Sequence, residues 1–218
     1  MSRLVFIYCF FLFSCSSNIK IIDKPIIFDA ERKELTLEYL ENRYGLLQKE
    51  PTLTPRMIVL HWTAFSTLEA SFNAFNPSKL PNWRPDIKNV SGLNVSSQFM
   101  VDRNGTIYRL MPETTMARHV IGLNLCAIGI ENVGGGEKQP LTKEQLKANI
   151  DLIYYLKEKY SEIDFLIGHY EYTKFERTPL WLEKDAKYRT KKTDPGTFFM
   201  KNVREATQNL EFKEIPKF

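Results

Sequence analysis

Cysteine and histidine are both scarce in this chain of 218 residues, with three of each. Two of the cysteines, Cys9 and Cys15, fall at the extreme N-terminus and the third is Cys126, so no disulfide framework holds the molecule together. A membrane-spanning helix is also missing from the expectations: the apolar run Leu4–Cys15 has 12 residues, where a span needs about 20. Charge is nearly balanced, with 30 Lys+Arg against 26 Asp+Glu. The resulting +4 suits an anionic polymer or a membrane surface but is too diffuse to mark a nucleic-acid binder. No internal repeat is visible. What is present is an apolar fraction of 43% with 15 Phe and 10 Tyr, enough for a core, which excludes a wholly disordered chain. The length fits one domain.

The N-terminus reads as an address. Arg3, then the short apolar run, then small polar residues have the build of a signal peptide. Leu12-Phe13-Ser14-Cys15 resembles a bacterial lipobox, in which the cysteine becomes the first mature residue and carries the lipid. The alternative is a plain secretory signal with an incidental cysteine. Ser16, rather than Asp, after the cysteine favours the outer membrane by resemblance to enterobacterial lipoproteins. The expected organisation is a signal peptide over 1–14, a tether and approach segment over 15–55 and a folded domain over 56–218, facing the periplasm as a monomer.

Within the body, Met57–His61, Ala127–Val133 and Phe165–His169 are short apolar runs that read as buried strands. Ser96–Leu110 reads as a hairpin around Asn104-Gly105. Thr142-Lys143-Glu144-Gln145 has the capping-box pattern, and Leu146, Ile150, Ile153 and Leu156 continue it at helical spacing to about Tyr160. Glu34–Leu40 is a short helix candidate, residues 76–94 have loop chemistry, and Val203–Leu210 is a terminal helix candidate. Strands alternating with helices imply an α/β domain with a mixed central sheet flanked by helices.

The three histidines stand in similar settings. His61 and His169 close apolar strands, and His119 precedes the turn Val120-Ile121-Gly122. A lone histidine is ordinarily a hydrogen-bonded core or surface residue, and context alone makes it a ligand or base. Asp194 lies in Lys192-Thr193-Asp194-Pro195-Gly196, a turn that can hold a carboxylate at fixed aim or be an ordinary Asx turn. Two imidazoles and a carboxylate would leave a bound Zn²⁺ an open position, although gaps of 108 and 25 residues do not themselves demonstrate a site. Glu131 is the free carboxylate at a strand end, or a solvated one.

The order of these pieces resembles the zinc-dependent N-acetylmuramoyl-L-alanine amidases, the type shared with peptidoglycan recognition proteins and phage T7 lysozyme. Four elements carry the resemblance over about Arg56 to Phe199: Val59-Leu60-His61-Trp62-Thr63; the Ser-rich entry Val95–Gly105; His119, Gly122 and Asn124 followed by Ile128-Gly129-Ile130-Glu131; and Gly168-His169 with Lys192-Thr193-Asp194-Pro195-Gly196. Gln98 stands where relatives often have His, Ala127 where many have Ser, and Ser97 where the phage enzyme has a catalytic Tyr.

The resemblance implies Zn²⁺ held by His61, His169 and Asp194, with His119 beside the site and Glu131 and Lys192 in catalytic roles. His119, Asn124 and Trp62 become candidate substrate contacts, Trp62 with a plain buried role as its alternative. The implied reaction is hydrolysis of the amide between N-acetylmuramic acid, or its 1,6-anhydro form, and L-alanine. The partners are peptidoglycan or muropeptides and, through Cys15, a membrane. Two other readings stay open: a peptidoglycan-binding lipoprotein without turnover, and a periplasmic metallopeptidase or other metal-dependent amidohydrolase. Residues 170–190, rich in Tyr and charge, read either as a flap over the cleft or as a packed surface loop.

Overall fold

The computed structural model describes residues 19–82, 87 and 89–217; the expected signal peptide of 1–14 and the expected lipidation site Cys15 lie outside the described residues. Six strands, Ile21–Asp23 (β1), Met57–Trp62 (β2), Phe99–Val101 (β3), Ile107–Arg109 (β4), Ala127–Asn132 (β5) and Phe165–Gly168 (β6), form one sheet in the order β1-β4-β3-β5-β2-β6. The β3–β4 hairpin is antiparallel and the other pairings are parallel, so the sheet is mixed as expected. The central strands β2 and β5 are covered on both faces, which is why they read as nearly unbroken apolar runs.

Helices Ala30–Tyr39 (α1), Leu68–Phe75 (α2), Lys143–Lys159 (α3) and Thr197–Ala206 (α4) surround the sheet. Alternation along the strands sorts the core into two layers. Ile58, Leu60, Ile128 and Ile130 face Leu152, Ile153 and Leu156 of α3 and Met200 and Val203 of α4. Met57, Val59, Ala127 and Ile167 face the opposite way, onto Ile121, Leu123, Tyr172 and Phe175, which come mostly from loops. Thr142 and Gln145 form the expected reciprocal cap on α3, each side chain accepting from the other's backbone N–H at 3.0 Å. The terminal helix starts earlier than the sequence suggests, at Thr197. Gly196, at φ +89°, ends the preceding loop in the left-handed region, and Phe199, Met200 and Val203 then supply the buried stripe.

The segment 15–55, expected as tether and approach, is different in its described part. From Ile19 on it is built into the body. β1 pairs with β4, and α1 runs into a widened π turn, Leu40–Tyr44, that buries Tyr39, Leu40 and Tyr44 against Leu93 and Met116. Arg32, 1% exposed, donates from Nη2 to the carbonyls of Phe75, Asn76 and Pro77 and so caps the end of α2. Arg43 grips buried Glu183 through two hydrogen bonds of 3.1 and 2.7 Å. Residues 170–190 are packed onto the body, with Tyr172 and Phe175 buried, Trp181 stacked on Tyr172 at 6.1 Å between ring centroids and Glu183 held by Arg43, while Tyr188 and Thr190 also line the cleft.

This placement predicts that Leu40→Ala, which empties a fully buried position, lowers unfolding stability by about 3 kcal/mol. Urea titration checks it; an unchanged midpoint would make the segment a tether after all.

Candidate metal centre

Strand register assembles the site. In the β2–β5 pairing His61 lies opposite Glu131, and in the β2–β6 pairing Leu60 lies opposite Gly168, one residue before His169. His61, Glu131 and His169 therefore emerge together at the carboxyl ends of adjacent parallel strands, on the loop-covered face. That edge is where open α/β sheets place their ligands. Asp194 arrives from the long loop, whose backbone is tied to the same corner by the Tyr170 N–H donating to the Asp194 carbonyl at 3.2 Å.

Three atoms converge there. His61 Nδ1 and His169 Nδ1 are 2.9 Å apart, and Asp194 Oδ2 lies 3.2 Å from the first and 2.9 Å from the second. All three residues are buried, and among the described residues they form a group able to hold a metal ion. Ligand atoms at the corners of a tetrahedron around zinc lie about 3.3–3.4 Å apart, within a few tenths of an ångström of this spacing.

Hydrogen-bond roles give an independent test of fit. The Ala127 carbonyl can only accept, so His119 Nε2, 3.2 Å away, carries a proton. Neutral His119 then presents a lone pair at Nδ1, and His61 Nε2, 3.0 Å away, must donate to it. His61 Nδ1 is left with a lone pair aimed at the Asp194 carboxylate. That lone pair, His169 Nδ1 and Asp194 Oδ2 meet at one corner and can be offered to a common cation, so the donor set fits a metal. The arrangement is an outer hydrogen bond fixing a ligand's tautomer.

His119 can lie where it does because residue 129 is glycine: a Cβ there would sit 2.9 Å from the His119 ring. His169 and His119 are kept neutral. Burial, reinforced by neighbouring His61, lowers His169 to about 4 and holds His119 well below the ordinary histidine range. Burial pushes the Asp194 carboxyl up, but neighbouring His169 outweighs it and holds the group well below the usual carboxylate range. Neutral imidazoles with an ionised carboxylate are the protonation states a divalent ion requires.

A cleft of about 380 Å³ opens over the three atoms, lined also by Trp62, Arg118, Glu131, Tyr188, Thr190 and Lys192. Glu131 is 8% exposed there. Two expected substrate contacts have other work. Both ring nitrogens of His119 are engaged inside the protein, and the Asn124 amide binds the His119 and Val120 backbone and a tyrosine hydroxyl. Trp62 does line the cleft and packs against Gly135 and Gly196. The departures from the family pattern are structural: Gln98 bridges strands by accepting from Gly129 N at 2.7 Å and donating to the Thr115 carbonyl, and Ser97 donates to the Phe99 carbonyl.

Sequence reasoning missed the supports. Asn132 donates to the His61 carbonyl at 3.0 Å and exchanges hydrogen bonds with Asn149. Glu171 accepts from Gly168 N and is paired with Arg204 at 2.6 Å, fixing the backbone just ahead of His169. Its only signal in the sequence is a Glu three residues after Gly168, where a carboxylate can reach back to the Gly168 N–H.

The family model described as N-acetylmuramoyl-L-alanine amidase (Amidase_2) matches residues 51–197, about two thirds of the chain. The chain belongs to this amidase family. Among solved structures, it is similar to the N-acetylmuramoyl-L-alanine amidase LysC from Clostridium intestinale URNW, at 22% identity and a TM-score of 0.54 over 89% of this chain and 99% of that one. It is also similar to a selenomethionine derivative of AmpD, at 22% identity and a TM-score of 0.50 over 75% of this chain and 97% of that one. A third likeness is to bumblebee PGRP-SA, at 17% identity and a TM-score of 0.51 over 90% of this chain and 99% of that one. At such identities these likenesses establish the shared fold of the amidases and recognition proteins. No curated protein sequence matches this amidase-family chain significantly.

Neutral buried histidines set a pH dependence. In the unfolded chain both imidazoles take up protons near 6.5, while the folded chain keeps His169 neutral to about 4. The unfolded state thus binds more protons in this window, and stability falls as pH is lowered through it. Asp194, also shifted down, adds a loss of the same sign only below this window. For chelator-treated protein, the melting temperature should drop between about pH 6.5 and 4, and less steeply in His169→Gln; equal slopes would contradict the assignment.

Proposed function

We propose that this chain is a zinc-dependent N-acetylmuramoyl-L-alanine amidase acting on peptidoglycan, cleaving the amide between the lactyl group of N-acetylmuramic acid, intact or 1,6-anhydro, and L-alanine. The observation that carries the proposal is the convergence of His61 Nδ1, His169 Nδ1 and Asp194 Oδ2 at the floor of a cleft that also holds Glu131 and Lys192, in a chain of this family. Two imidazoles and a carboxylate suit Zn²⁺ and leave a coordination position open.

When bound, Zn²⁺ would polarise the scissile carbonyl and lower the pKa of a coordinated water towards about 7. Glu131, in register with His61 and facing the same cleft, takes the attacking water's proton and returns it to the leaving amine. Lys192 places its ammonium beside the carbonyl oxygen as negative charge develops there, an effect worth about 3 kcal/mol for a well-aimed donor. His61 is held in the ligating tautomer by His119, which this reading makes a supporting group and not a substrate contact. Trp62 offers an apolar wall for the glycan or stem peptide. Cys15, as a lipidated first residue, would hold the enzyme on the periplasmic face of the outer membrane.

The amidase reading is tested with purified sacculi and 1,6-anhydro-muropeptides, identifying released ends by mass spectrometry. Free L-alanine amino termini are the expected product. Glu131→Gln should lower kcat by at least about a hundredfold while retaining zinc, and Lys192→Met should behave alike; His61→Ala should lose zinc and activity together. Binding to sacculi without release of any end would instead favour a non-catalytic binding protein.

The anchor is tested separately. Cys15→Ala should shift the protein from the membrane fraction to the soluble or unprocessed one, and an unchanged fractionation and mass would remove that part of the reading.

A further inference from the structure

The segment that precedes the family-matched region reaches the metal corner from behind. α1 ends at Tyr39, and the π turn that follows ends at Tyr44. In a regular α-helix residues five apart point about 140° away from each other. The widened turn, with the Leu46 N–H donating to the Leu40 carbonyl, instead brings Tyr44 beneath Tyr39, so that the rings meet edge-on with centroids 5.5 Å apart. Both rings are buried, and burial keeps both phenols protonated, well above their ordinary range.

Their hydroxyls receive the Asn124 side chain. Asn124 Nδ2 donates to Tyr44 Oη at 3.0 Å and approaches Tyr39 Oη at 3.5 Å, while Oδ1 accepts from His119 N at 3.0 Å and Val120 N at 2.8 Å. An asparagine amide offers two donors and one carbonyl with two lone pairs, and every one has a partner here. The amide therefore has one orientation, with its oxygen on the His119 backbone and its nitrogen on the phenols. From His119 the chain continues through Nδ1 to His61 Nε2.

We infer that Tyr44, supported by Tyr39, is a positioning residue for the amidase: through Asn124 it fixes the turn that holds His119 against His61. The inference rests on the amidase reading for its kinetic consequence, but its structural content can be measured without activity. Direct partners of a metal ligand typically matter about 10- to 100-fold, and Tyr44, three hydrogen bonds from His61, is expected at the low end, about tenfold.

The test uses Tyr44→Phe, which keeps the ring and removes the hydroxyl, alone and in a His119→Ala background. In the otherwise native chain it should lower kcat about tenfold with KM changed by less than about twofold. In the His119→Ala background the same substitution should change kcat by less than about twofold, because the link ends at His119. Equal losses in both backgrounds would indicate a general packing defect and overturn the inference, as would no loss in either. The second readout is solvent exchange of the imidazole N–H protons of His61 and His119, followed by nitrogen-edited NMR on the same full-length proteins. Tyr44→Phe should accelerate it, and unchanged exchange would overturn the inference whatever the kinetics. Should the native chain cleave no muropeptide, the amidase reading fails, and the exchange measurement still decides whether the phenols hold the histidine pair.

Discussion

A lone pair on His61 and a carboxylate oxygen of Asp194 face each other at 3.2 Å in a buried corner, and a second imidazole closes the triangle at 2.9 Å. These three atoms can be offered together to one cation. Much of the surrounding structure holds the cluster in place regardless. The Ala127 carbonyl sets the tautomer of His119, His119 sets that of His61, and Gly129 leaves the ring its space. The Glu171–Arg204 pair fixes the approach to His169. A donor set held ready in this way avoids reorganisation when the metal binds.

How much of this the sequence disclosed follows from how each part is built. β2, β5 and β6 were legible because parallel strands buried on both faces must be apolar along their length, and their histidines and Glu131 fall where the apolar runs stop. α3 announced itself through its cap and its buried Leu152, Ile153 and Leu156. α1 was seen only in its last part. Its buried positions are Arg32, Thr36 and Tyr39, so it shows little apolar periodicity and the segment looked like a tether. α4 was placed six residues late because Phe198, 77% exposed, blurs the stripe that Phe199 and Met200 begin.

The site divides in the same manner. His61, His169 and Asp194, separated by 108 and 25 residues, were joined by the order of family motifs and not by any spacing rule. Their supports, Gln98, Asn132, Asn149, Glu171 and Tyr44, carry polar groups whose burial appears only once the chain is folded. Asn124, expected as a substrate contact, lines the cleft while both ends of its amide are hydrogen-bonded within the protein.

Why the supports are polar at all is a question of specificity. Apolar packing tolerates small slides, whereas a buried amide left without its partner costs about 1–3 kcal/mol. Gln98 reads the Gly129 N–H, Asn132 reads the His61 carbonyl, and Gln145 reads the carbonyls of Val101 and Val133 at 3.2 and 2.8 Å. Slipping β5 against β2 or β3 by one residue would break several of these together and turn Glu131 to the helical face of the sheet. The penalties concentrate on the strands whose register sets His61 beside Glu131. The same polar groups that hide the site from a sequence reading are therefore the ones that keep its two central residues level.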